Sequence, residues 1–142
     1  MDRWIAYAAG AAILYGLHQV FTRIAADHIG PRLGSLIVEL TAAVAIAGYV
    51  ALLVGSGNWN ETATARGVVY SGLTGLCVAG GTVLFFELFQ AGGPLSAVPL
   101  VLAGGGAIMA IAGMVLLGEP ADPLRIFGIL LALCGIVLFT ND

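Results

Sequence analysis

The stretch LFQAGGPLSAVPLVLAGGGAIMAIAGMVLLG, Leu88–Gly118, decides the fold. It runs from Glu87 to Glu119 without a single charge. A water-soluble chain of 142 residues must cover its surface with polar groups, and this one cannot. Only 9% of its residues are Asp, Glu, Lys or Arg. Its mean hydropathy is +1.03. The solvent of such a chain is lipid. In hydrocarbon the backbone must satisfy its own hydrogen bonds, so a span is a helix or a strand of a closed barrel. Barrel strands alternate apolar and polar residues. The apolar runs here are continuous, so the expected class is an all-α integral membrane protein.

Outward from that stretch, a span of ~20 apolar residues fits five times: Trp4–Ile24, Leu33–Val54, Gly67–Phe89, Leu95–Gly118 and Leu124–Thr140. The fifth is short and must stand nearly upright. The length allows one domain, residues 1–142. The connections are short. Gly92-Gly93-Pro94 and Gly118-Glu119-Pro120-Ala121-Asp122-Pro123 stop their helices, because proline removes a donor and glycine frees the backbone. Trp4 and Trp59 fall on one face of the membrane, as an aromatic belt requires.

The charges exclude much. The net charge is −3, and no lysine is present. That removes a P-loop, a Schiff-base lysine and a polybasic lipid-binding tail. The arginines are scattered, so nucleic acid is not an expected partner. No Ser–Lys pair, zinc ligand set or paired intramembrane aspartates suggests an enzyme, and no cofactor is expected. Cys77 and Cys134 lie inside spans without metal or redox spacing, and read as buried free thiols. A cleaved signal peptide is not expected, because the first apolar run continues through His18 and Gln19 to Arg23. The sequon Asn60-Glu61-Thr62 reads as chance.

With five spans the termini lie on opposite faces, here side A for the N-terminus and side B for the C-terminus. Arg3, Arg66 and Arg125 fall on side A; Arg23 and Arg32 fall on side B. Orientation follows the bias in such residues, and here there is almost none. Either arginine is simply scarce, or the chain inserts both ways.

Two features mark candidate function. Tyr15, His18, Gln19 and Thr22 share a stripe at 100° per residue, extended by Ala8, Ala11 and Ala12. Ile13, Leu17, Val20 and Ile24 form the opposite, oily face. Such a stripe is a helix interface or a cavity wall. Glu39 is the second. It sits about 9 Å inside span two, and His18 lies about 9 Å from the same face at 1.5 Å per residue. An ionised carboxylate there is costly, so Glu39 is expected either to take up a proton or to bond His18, and so to carry a proton in transport; the plainer reading is a structural carboxylate capping the hairpin. Glu87, with Gln90 one turn on, is shallower and reads as snorkelling or as a vestibule residue. Glu119, Asp122 and Arg125 read as a solvated or paired loop. Gly106 with Ala110, and Gly128 with Ala132, give small-residue packing faces.

The stretch Phe85-Phe86-Glu87-Leu88-Phe89-Gln90-Ala91-Gly92-Gly93-Pro94-Leu95-Ser96-Ala97-Val98-Pro99-Leu100 resembles the EamA-type repeat of the drug/metabolite transporter superfamily. The likeness continues in Leu116-Leu117-Gly118-Glu119-Pro120, in Asp122 to Gly128, and to Gly135. It is similar again in the Ala-rich start, Tyr15-Gly16 and Arg23 of span one. Typical members carry two repeats and ten spans, whereas this chain has one. Gly104-Gly105-Gly106 stands where the family often has another proline.

The resemblance implies a multi-pass inner-membrane protein. It implies export of a small metabolite or drug. One repeat cannot alternate access alone, so a homodimer is expected, antiparallel as the near-balanced arginines permit. Tyr15, His18, Gln19, Glu39 and Glu87 are the candidate substrate- and proton-binding residues. Pro94 and Pro99 are a candidate hinge. The rival readings are a non-transporting scaffold or assembly partner, and a subunit of a lipid-linked-sugar flippase.

Overall fold

The computed structural model describes residues 3–120 and 122–140 and, among these, contains helices and no strand. The helices are α1 (Arg3–Ala26), α2 (Pro31–Gly55), α3 (Ala65–Gln90), α4 (Val98–Leu116) and α5 (Pro123–Thr140). A single 3-10 turn, Leu95–Ala97, leads into α4. The first three helices, and Leu95–Leu116 with its leading turn, are long and apolar enough to cross a membrane. The 18 residues of α5 reach about 27 Å at 1.5 Å per residue, just under a hydrocarbon core of ~30 Å. The five spans read from hydropathy stand within a few residues of these bounds.

The chain forms two compact units, Met1–Gly93 and Pro94–Asp142. In the first, α1, α2 and α3 run up, down and up. Pro31 starts α2, where a missing backbone N–H costs nothing. Thr64 caps α3 by accepting from Gly67 N at 3.1 Å. Gly92, with φ 91°, closes α3: the N–H of Gly93 bonds Leu88 O and that of Gly92 bonds Phe89 O. These two bonds are the Schellman arrangement.

Protein-covered residues of the first unit gather at its side-B half. They are Gln19, Thr22 and Ala26 of α1, Gly34 and Ser35 of α2, and Thr82, Phe86 and Phe89 of α3. Phe86 is wholly covered. A Cβ on Gly34 would lie 2.5 Å from its Cε1, so only glycine lets α2 approach the ring. Arg23 sits over the Phe89 ring at 5.9 Å and pairs with Asp27. Gln90 donates to Ile29 O at 2.8 Å and to Ala26 O at 3.3 Å, satisfying carbonyls at the α1–α2 turn.

In the second unit α4 and α5 pack as a hairpin. Helix α4 runs unbroken through Gly104-Gly105-Gly106. Pro99 sits in its first turn and Pro94 caps the 3-10 turn. The two prolines therefore shape the entry to α4 rather than a hinge within it, since a first-turn proline removes no helical bond. Gly118, with φ 67°, turns the chain so that Glu119 N bonds Gly113 O at 3.1 Å and the Glu119 carboxyl lies back against Gly113. Asp122 Oδ1 accepts from Leu124 N at the start of α5. The side chains of Arg125 and Ala132 lie outside the described residues. Among the described residues, nothing lies within 4 Å of a would-be Cβ on Gly106 or Gly128.

Candidate functional site

The first unit holds a polar layer about two turns inside side B. Thr82 Oγ1 of α3 lies 2.6 Å from Glu39 Oε1 of α2. It also lies 3.0 Å from Val78 O, one turn back on its own helix. Thr82 is buried and Glu39 is partly so. From α1, His18 and Gln19 reach the same depth. Gln90 touches Ala26 O, and α1 and α3 run in the same direction. From that contact, Gln90 back to Thr82 and Ala26 back to His18 are equal steps of about 12 Å.

This layer corrects one expectation directly. Glu39 finds its partner in Thr82, across the α2–α3 face, and His18 Nδ1 is sealed from water without any hydrogen bond. Gln19 Oε1 is likewise buried and unpartnered. The physical reason is adjacency: α3 closes on α2 through Gly34 and Phe86, which brings Thr82 to Glu39 first. Burying an unpaired acceptor costs roughly 1–3 kcal/mol, so the α1 side of the layer is polar and unsatisfied while the α2–α3 side is bonded.

The other candidates separate. Thr22, from the same stripe, is buried and bonds His18 O at 2.8 Å. Tyr15 is 65% exposed and stands outside the layer. The oily face of α1 is exposed as read: Ile13, Leu17, Val20 and Ile24 all point away from protein. Glu87 is exposed and lines a shallow cleft of about 380 Å³ with Gly30, Pro31, Arg32 and Leu33. This cleft lies at the side-B rim of the unit, away from Thr82. Cys77 and Cys134, expected to be buried, are both exposed. Free cysteine is mostly buried in water-soluble cores, but in a membrane helix a thiol can face lipid at little cost. No cluster of potential metal ligands occurs among the described residues.

Sequence reading missed Thr82, Gly34, Phe86 and the bridging role of Gln90. Thr82 had a signal: it lies within one residue of the depth of His18, counted back from the ends of spans three and one. Nothing local marked Gly34 or Phe86, because a glycine and a phenylalanine in an apolar run look like their neighbours.

Long apolar helices with a hydrogen-bonded carboxyl held inside them define a multi-pass integral membrane protein. The chain belongs to the EamA-like transporter family, whose model matches residues 2–141. That family places it among membrane transporters of the drug/metabolite type. No curated protein and no solved structure matches the chain.

Proposed function

We propose that this chain is half of a secondary transporter, a single five-helix repeat that works as an oppositely oriented pair. Transporters of this kind place the site between two inverted repeats and rock one against the other. The even spread of arginines permits insertion in both orientations. The cargo is a small metabolite or drug, bound near Glu39, His18 and Gln19, with Tyr15 and Glu87 on the route in and out. Transport is coupled to proton exchange at Glu39.

The observation that carries this reading is the Glu39–Thr82 bond between two helices of a transporter-family chain. Ionisable groups inside spans are costly and serve proton relays and substrate paths. The test is flux into vesicles holding the purified protein, against a panel of metabolites, with and without a pH gradient. Glu39→Gln keeps the side-chain size and should abolish gradient-driven flux while leaving the folded protein intact by size exclusion. Full gradient-driven flux in that variant sinks the proton role of Glu39.

A further inference from the structure

We infer that Thr82 converts the proton on Glu39 into a bend of α3, a step that rests on the proposed proton exchange at that carboxyl. A threonine hydroxyl has one proton to donate and can accept as well. Thr82 Oγ1 has two acceptors in reach, Glu39 Oε1 at 2.6 Å and Val78 O at 3.0 Å. The single proton cannot serve both, so the state of Glu39 decides.

When Glu39 is ionised, its Oε1 can only accept. The Thr82 O–H then points across to α2, and Val78 O keeps only its helical partner. When Oε1 takes a proton from hydronium on the open side, leaving water, the carboxyl O–H donates to Thr82 Oγ1. The Thr82 proton then turns to Val78 O. Every hydroxyl proton has an acceptor in both states, and one proton is gained overall. The carboxyl can therefore load and unload without leaving a donor stranded in the layer.

The second state does more than balance bonds. A threonine hydroxyl bonded to the carbonyl one turn back loads that carbonyl twice and bends the helix. The bend falls between Val78 and Thr82, across Gly80-Gly81, where no neighbour lies within 4 Å of a would-be Cβ. Paired small residues are where helices kink. It is also where α3 leaves its neighbours: Ala65–Val78 is exposed all round, whereas Thr82, Phe86 and Phe89 are buried. A bend there swings the free half of α3 and leaves the packed half in place.

Other groups that could titrate near Glu39 are few. From α1 the titratable side chain at this depth is His18, with Nδ1 sealed. Helix α3 offers none between Cys77 and Glu87, and on α2 the nearest are Arg32 and Tyr49.

Paired spin labels test the bend. Leu52→Cys on α2 and Val69→Cys on α3 both lie on exposed halves. They are placed in a chain whose Cys77 and Cys134 are serine, diluted with unlabelled chains in lipid nanodiscs. The inter-label distance is followed against pH, and the protonated carboxyl band of Glu39 is followed by infrared difference against Glu39→Gln. The expected result is a shift of several ångströms with the same midpoint as the carboxyl band. Thr82→Val should keep the band and lose the shift; Thr82→Ser should restore the shift.

A shift that survives in Thr82→Val overturns the inference, as does a titrating band with no shift in the parent chain. A Glu39 band that never titrates overturns both this step and the proton reading beneath it.

Discussion

The two halves of the three-helix unit are both apolar helix and behave differently. Near side B, α1, α2 and α3 cover one another through Phe86, Phe89, Gly34, Ser35, Thr82 and Gln19. Toward side A, Trp4–Leu17 of α1, Thr41–Tyr49 of α2 and Ala65–Val78 of α3 stand almost wholly uncovered. The side-A half is much the richer in glycine and alanine, yet it is the half that does not pack. The difference lies in what meets the small residue. Gly34 faces a phenylalanine ring, while Gly10, Gly48, Gly72 and Gly75 face nothing within 4 Å. Lipid tails are as apolar as the helices, so apolar surface alone does not drive them together. A close-fitting large residue or a hydrogen bond does, and those are confined to the side-B half.

That contrast predicts the largest effect at Gly34. Gly34→Leu must push α2 off Phe86 and should cost about 3 kcal/mol or more, or prevent folding. Gly75→Leu, an identical substitution in the open half, should stay within about 0.5 kcal/mol. Thermal unfolding in mild detergent compares the two. Equal effects would show that the halves do not differ in packing.

Gln90 should come next. Its amide holds two carbonyls at the α1–α2 turn, one of them Ala26 O at the end of α1. Gln90→Leu should cost about 1–2 kcal/mol, the value of a lost bond plus an unsatisfied carbonyl. Hydrogen exchange should rise at Asp27–Gly30 and stay unchanged at the start of α3. Loosening spread evenly over all three helices would mean that the turn is not where the unit is fastened.

The same contrast explains what could be read from the chain. Hydropathy located all five helices, since a backbone in lipid has so few alternatives. Proline and glycine placed their ends, as Pro31, Gly92 and Gly118 bear out. The polar stripe of α1 was legible from its period, and Gln19 and Thr22 are indeed buried. The pairing of helices was not legible. Glu39 and Thr82 are joined across 43 positions, and no local pattern records that. Small-residue spacing is silent on partners for a related reason. It marks where a close approach is possible, and among the described residues nothing lies within 4 Å of a would-be Cβ on Gly106 or Gly128.

The smallest expected effect has the opposite sign and falls on Gln19. Its Oε1 is buried in the packed half with no partner. A buried acceptor left unpaired is destabilising, whereas an apolar group of similar shape is neutral or better. Gln19→Leu should therefore raise the stability of the resting protein by about 1 kcal/mol, read as a higher unfolding midpoint. A polar group kept in a site where it weakens the fold is expected to serve a ligand or water in another state. The same variant should accordingly lose flux in the vesicle assay while gaining stability. Should Gln19→Leu unfold more easily than the parent, the side chain is bonded in the membrane, and the unsatisfied side of the layer is not where cargo binds.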